Sequence, residues 1–209
     1  MQRLRIIFAK TSAMRFTGHL DLHRAWERAF RRAELPLAYS QGYNPHPRLN
    51  LAAALPLGFT SQAEIMDAWL EHTLPVAQVW AALESALPPG ISLCQIEEAA
   101  LNLPALQTQL EAAEYLVTLL DELPEMATRL ETLMNSEHLP RRRRGKDYDL
   151  RPLILKLHSL PPEADGLQRL FMRLVTKEGA TGRPDEVVEA LGGAADAARV
   201  HRLRLILSS

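Results

Sequence analysis

Residues 3–36 read R-L-R-I-I-F-A-K-T-S-A-M-R-F-T-G-H-L-D-L-H-R-A-W-E-R-A-F-R-R-A-E-L-P, and the hydrophobic period changes once inside them. Leu4, Ile6 and Phe8 alternate with Arg5 and Ile7, the period of two that sets one strand face on a core. Leu22, Ala25, Trp26, Ala29, Phe30 and Ala33 then fall at i, i+3, i+4, i+7, i+8 and i+11. That is a continuous apolar stripe, and it predicts a helix over His19–Glu34, closed by Pro36. A strand followed by an amphipathic helix opens a split β-α-β unit.

Downstream the same logic continues. Small apolar residues over Arg48–Leu55 predict a strand, and Ala63–Glu71 alternates as the next. Asp67 shares a face there with Ile65 and Trp69, an odd place for a carboxylate. P-V-A-Q-V-W-A-A-L-E-S-A-L, from Pro75, carries proline in its first turn and apolar residues at helical spacing. P-P-G breaks it, and Ile91–Ala99 is a strand. This order is βαββαβ, the ferredoxin-like pattern. It recurs with strand Ala112–Leu120, helix Pro124–Ser136, strands Arg151–Leu160 and Gln168–Thr176, helix Pro184–Leu191 and strand Val200–Leu207.

The expectation is therefore an α+β chain of two tandem ferredoxin-like (βαββαβ) α/β-sandwich modules. They span 1–104 and 112–209, with 105–111 as the linker. The rival is one continuous mixed sheet carrying all four helices.

The helix leads into S-Q-G-Y-N-P-H-P at 40–47, where Gly42 permits positive φ, Pro45 holds Asn44 extended, and two prolines clamp His46. Arg24, Glu27 and Arg31 lie away from the apolar stripe, with Arg28 and Arg32 on its flank. A stiff loop presenting Ser40, Tyr43, Asn44 and His46 beside a basic helix is the first place to seek function.

These motifs resemble the radical-SAM-linked proteins built on the uncharacterised domain DUF2344. The resemblance rests on G-H-L-D-L-H-R-A-W-E-R-A-F-R-R-A-E-L-P at 18–36, Y-S-Q-G-Y-N-P-H-P-R at 39–48 and L-P-L-G-F-T-S-Q-A-E at 55–64. R-G-K-D-Y-D-L-R-P at 144–152 adds a weaker match. Gly18 stands where the family usually has Ser, a weaker helix cap. The resemblance implies a radical SAM protein as partner and names a group rather than an activity.

Composition narrows the classes. With 209 residues and 47% of them hydrophobic, the chain can fill a real core. No apolar run reaches the ~18 residues of a membrane span, and M-Q-R-L-R-I-I-F-A-K reads as a strand rather than a signal peptide. The single cysteine, Cys94, excludes an internal disulfide framework and agrees with a reducing cytoplasm. A radical SAM cluster needs three cysteines, so the chain is an associate of such an enzyme and not the enzyme.

Charge is uneven. Net charge is +6 over residues 1–48, −12 over 61–137 and +4 over 141–151. Two basic segments offer a surface for phosphates or for an acidic patch on a partner.

Three chemistries compete. His19, Asp21, His23 and His46 include two imidazoles one turn apart, but no Cys or clear Glu completes a metal set, and no metal is expected. His46 with Ser40 or Tyr43, or with His19 and Asp21, could serve as general acid or base on RNA without a cofactor. No P-loop or G-x-G-x-x-G is present, so no cofactor is expected. The third is binding without chemistry. Arg24, Arg28 and Arg31, the 40–47 loop, and Arg141, Arg142, Arg143, Arg144 and Lys146 would hold RNA or an RNA-bound partner. Here 141–146 is taken as a basic loop, flexible at Gly145. A pure protein-docking module is a further alternative. Close packing of His19, Asp21, Ser40, Asn44 and His46 in one cleft would favour the enzyme, and their dispersal would oppose it.

Overall fold

A computed structural model of the chain describes residues 1–143 and 145–208. It shows a mixed α/β protein with four helices among the described residues, divided into two compact units at 1–110 and 111–209.

The first unit contains β1 (Gln2–Lys10), α1 (His19–Arg32), β2 (Leu49–Leu51), β3 (Thr60–Leu70), α2 (Val76–Ala86) and β4 (Ile91–Ala99). Its strands lie in the order β4-β1-β3-β2, each neighbour antiparallel. The register pairs Leu4 with Ala68 and Ile6 with Met66. One sheet face is therefore wholly apolar there, and Leu22, Trp26 and Phe30 of α1 and Val79 and Leu83 of α2 complete that core. Phe8 meets Trp26 edge-on at 4.8 Å between ring centroids, the favoured aromatic geometry.

Two boundaries differ from expectation for local reasons. α1 ends at Arg32, before Pro36 can act. Glu34 takes the left-handed conformation at φ 53°, and Glu34 N–H and Leu35 N–H donate to the Arg31 and Phe30 carbonyls. That is a Schellman stop with Glu in the place usually taken by Gly. The strand expected over 48–55 shrinks to Leu49–Leu51, because only those three residues pair with β3.

The reverse face of this sheet holds a buried cluster of ion pairs. Asp67, wholly buried, accepts two hydrogen bonds from Arg3, at 2.6 and 3.0 Å, and two from Arg5, at 2.9 and 3.1 Å. The register places Arg5 directly opposite Asp67 and Arg3 opposite Trp69. This resolves the oddity of an acid beside Ile65 and Trp69: it is the counter-ion of two arginines on the neighbouring strand. Arg3 continues outward to the carbonyls of Leu103, at 2.7 Å, and Pro104, at 3.0 Å. The segment read as a linker thus folds back on the sheet, where Leu106 is fully buried in a 3-10 turn and the Gln107 amide donates to the Leu51 carbonyl.

The second unit contains β5 (Leu110–Leu119), α3 (Met126–Asn135), β6 (Pro140–Arg143), β7 (Lys146–Asp149), β8 (Ile154–Leu160), β9 (Arg169–Lys177), β10 (Ala180–Thr181), α4 (Pro184–Ala190) and β11 (Ala198–Leu207). β5 lies between β11 and β9, and both β8 and β10 pair with β9. Ala113, Tyr115 and Val117 face Leu174, Met172 and Leu170 across the β5–β9 ladder, and all six are buried. The basic stretch expected as a loop is instead the β6–β7 hairpin, paired from Pro140–Asp149 to Arg143–Lys146. Gly145 turns at φ 79°. Arg144 lies outside the described residues.

Removing one partner of a buried ion pair strands the other charges. Asp67→Asn is expected to lower the unfolding free energy by about 3–5 kcal/mol, read from urea denaturation. A loss below about 1 kcal/mol would mean that water satisfies Arg3 and Arg5.

Candidate binding cleft and basic surfaces

The loop after α1 is held at its neck. Ala38 N–H donates to the Trp69 carbonyl at 2.7 Å, Trp69 N–H to the Arg48 carbonyl at 3.1 Å, and Arg48 N–H to the Ala38 carbonyl at 2.8 Å. One step further out, Ser40 N–H donates to the His46 carbonyl at 2.8 Å, and His46 N–H to the Ser40 hydroxyl at 3.0 Å. Residues 41–45 project past the last cross-link, with Gly42 at φ 135° and Tyr43 fully exposed.

Beside this neck, on the reverse face of the first sheet, lies a cleft of about 390 Å³. Ser40, His46 and Pro47 of the loop and Leu101, Leu103 and Pro104 of the segment after β4 line it. Trp69 lies at its base, 7% exposed. Two guanidinium groups rest against that indole, Arg3 at 4.9 Å and Arg48 at 4.8 Å from the ring centroid. Their situations differ. Arg3 is consumed by Asp67 and the carbonyls of 100–104. The Arg48 side chain, half-buried, donates among the described residues to the Met1 sulfur alone, at 3.2 Å, a weak acceptor. Asn50, half-buried on β2, completes the lining, and its carboxamide has no partner among the described residues.

The residues singled out from the sequence are only partly brought together. Ser40 and His46 share the cleft, but they are joined through the His46 backbone and not its imidazole. Tyr43 and Asn44 stand on the exposed tip. Asp21 pairs on the surface with Arg24 at 3.3 Å. His19 is half-buried at the start of α1, and its Nδ1 has no hydrogen-bond partner. Burial lowers the His19 pKa below its ordinary value; His23 acts in the same direction and Glu64 opposes it. His23 is occupied by Glu27 at 3.1 Å and by the Leu49 carbonyl at 3.2 Å. Among the described residues no three His, Cys, Asp or Glu side chains cluster as a metal site.

Two basic surfaces remain. On α1, Arg28 and Arg31 are exposed and have no side-chain partner among the described residues. In the second unit, the β6–β7 hairpin divides its cations between two faces. Arg141 and Arg143 stand opposite Tyr148 and Lys146, whereas Arg142 stands opposite Asp147, 3.7 Å away. Arg143 stacks on the Tyr148 ring at 4.9 Å, donates to the Thr181 carbonyl at 2.9 Å and pairs with Glu186 at 3.5 Å. Tyr148 donates to Glu186, and burial followed by that carboxylate drives the phenol well above its usual range. Arg143 is thus a structural cation, while Arg142 and Lys146 are exposed.

The sequence profile of a family described as "Uncharacterized protein conserved in bacteria (DUF2344)" matches residues 3–184. The chain belongs to this family. No curated protein matches the sequence. Among solved structures, this DUF2344 chain is similar to one titled "Crystal Structure of a Cbf5-Nop10-Gar1 Complex", with a TM-score of 0.53 at 12% identity, covering 97% of this chain and 48% of that one. It also matches the "archaeal box H/ACA sRNP Nop10-Cbf5 complex" at 11% identity and a TM-score of 0.44, covering 97% and 46%. The chain spans about half the length of these structures. At such identities the first likeness establishes fold alone, and the second falls below the level at which a likeness carries weight.

Sequence reasoning missed Arg48, Trp69 and Asn50. A signal existed for one of them, since Arg48 closes the Y-S-Q-G-Y-N-P-H-P-R motif. Trp69 and Asn50 read as ordinary strand residues, and only the register of β2 on β3 brings them to one face.

Asp149 anchors the base of the hairpin. It pairs with His138 at 2.8 Å and accepts from Leu139 N–H and Arg151 N–H, at 2.8 and 2.9 Å. In that order these partners lower its pKa from 3.8 to about 2. A carboxyl depressed by folding stabilises fully above its unfolded value and loses that contribution as pH falls through the folded one. The melting-temperature gap between wild type and Asp149→Asn is therefore expected to be full above pH 4 and to close between pH 4 and pH 2. A gap independent of pH would assign the difference to something other than this carboxylate.

Proposed function

We propose that this chain is a non-catalytic accessory protein that binds RNA, or an RNA-bound partner, through the exposed arginines of α1 and the basic hairpin. The observation that carries the reading is the contrast among its arginines. Four with structural work are neutralised by two buried carboxylates: Arg3 and Arg5 by Asp67, Arg173 and Arg204 by Glu114. Arg28 and Arg31 face solvent with no protein partner among the described residues, an arrangement that leaves planar donors free for phosphate. Tyr43, fully exposed at the tip of a tethered loop, supplies a face for base stacking. Arg24, Asn44, Arg141, Arg142, Arg144 and Lys146 belong to the same reading.

The family resemblance supports a radical SAM protein as the partner to which this module brings its RNA, in the cytoplasm. The architecture behind the reading is two ferredoxin-like modules, 1–104 and 112–209. The orders β4-β1-β3-β2 and β11-β5-β9-β8 support it, with the β6–β7 hairpin and β10 as additions to the second. The enzyme alternative, His46 acting as acid or base with Ser40, is disfavoured by the link through the His46 backbone. Protein docking alone is the remaining alternative.

Single-stranded RNA binding should fall linearly in log–log with salt. Arg28→Ala/Arg31→Ala should reduce the magnitude of that slope by roughly 1.4, about 0.7 for each phosphate no longer neutralised. Filter binding of a 20-nucleotide RNA over a salt series measures it. An unchanged slope, or a radical SAM protein retained from lysate after RNase with no crosslinked RNA, would make this a protein-docking module.

A further inference from the structure

We propose that the cleft beside Trp69 binds a single phosphorylated nucleotide, with Arg48 on the phosphate and Asn50 on the edge of the base. The inference deepens the RNA reading and rests on it for the choice of a nucleotide over other amphipathic anions.

The argument starts from Arg48. A guanidinium stacked on an indole is held by its π-face, so its N–H donors remain in plane and available. Among the described residues only the Met1 sulfur takes one of them. Arg3, on the same ring, has its charge answered by Asp67 and its remaining donors taken by carbonyls of 100–104. The ring is thereby fixed from one partner and orients the other. Pro47 and Ser40 carry the lining to His46, whose ring has no partner among the described residues. The Ser40 hydroxyl accepts from the His46 backbone and keeps its own proton to donate. One cation, one hydroxyl and one imidazole therefore line the same cleft.

An apolar wall with one amide makes up the rest of the lining. Leu101, Leu103 and Pro104 offer apolar surface, and the Asn50 carboxamide offers a donor and an acceptor side by side. A bare inorganic ion would leave that wall and that amide unused. An apolar ligand would bury Arg48 without a counter-charge. A ligand matching both kinds of lining has an anionic end and a planar part whose edge carries adjacent donor and acceptor groups, as a nucleobase does. A volume of about 390 Å³ lies at the small end of ligand sites, which suits one nucleotide and not a dinucleotide. The ligand's source is either a free nucleotide or the phosphorylated end of an RNA strand.

Calorimetric titration with AMP, GMP, CMP and UMP, and with the same short RNA carrying a 5′-phosphate or a 5′-hydroxyl, tests both sources. Saturable binding of a mononucleotide, or preference for the 5′-phosphorylated strand, is expected. Arg48→Gln should weaken it about ten- to a hundredfold, and Asn50→Ala should change the ranking among bases. Arg28→Ala/Arg31→Ala should leave mononucleotide binding unchanged. Nucleosides binding as well as nucleotides, or affinity unaffected by Arg48→Gln, overturns the inference. RNA binding lost in Arg28→Ala/Arg31→Ala but intact in Arg48→Gln, with no mononucleotide bound, removes the cleft and keeps the RNA reading. Mononucleotide binding that depends on Arg48, with no RNA bound by any form, removes the RNA reading and keeps the cleft.

Discussion

A single carboxylate organises the first unit. Asp67 sits wholly buried between Arg3 and Arg5, and a buried acid with two cations has little freedom to rearrange. Ion pairs of this kind add little net stability over apolar residues of equal volume, but they define geometry, because breaking one strands the others. With Asp67 in place, Arg3 is aimed at the carbonyls of 100–104 and draws that segment over the sheet. The same guanidinium lies on Trp69, and Trp69 in turn supports Arg48. The cleft is a consequence of that chain of interactions.

The second unit repeats the device with different parts. Glu114 on β5 is buried and bonded to Arg173 on β9 and Arg204 on β11, and the Arg204 bond chiefly holds its carboxyl below the usual range. Both arginines are far more exposed than Arg3, so this triad sits nearer solvent and commits its charges less tightly. The two units thus share a principle, one strand carboxylate for two arginines. They differ in what it builds: a walled cleft in the first, a braced sheet in the second. Neutralising the structural arginines makes those left over, on α1 and at the hairpin, stand out as candidates for a polyanion.

Much of the element order was legible. The strand at Leu4–Phe8 and the stripe from Leu22 to Ala33 are set by period, and burial follows that period. What misled was composition. Four consecutive arginines read as a flexible loop, yet Arg143 turns inward on a hairpin where Tyr148, Glu186 and the Thr181 carbonyl await it. Leu106 in the expected linker is buried for the same kind of reason, a partner surface distant in sequence. The residues of the candidate cleft were half visible: Ser40 and His46 through a motif, Arg48 at its edge, Trp69 and Asn50 not at all.

The sequence by itself determined the order of the longer strands and helices and which face of α1 is apolar. Those properties depend on neighbours within a few residues, through period, proline and glycine. Only the tertiary structure decided which arginines are spent and which are free. That depends on register, which sets Arg5 opposite Asp67, Arg3 opposite Trp69 and Asn50 beside them. A shift of one residue would send each of these side chains to the other face, and nothing local in the chain records the alignment.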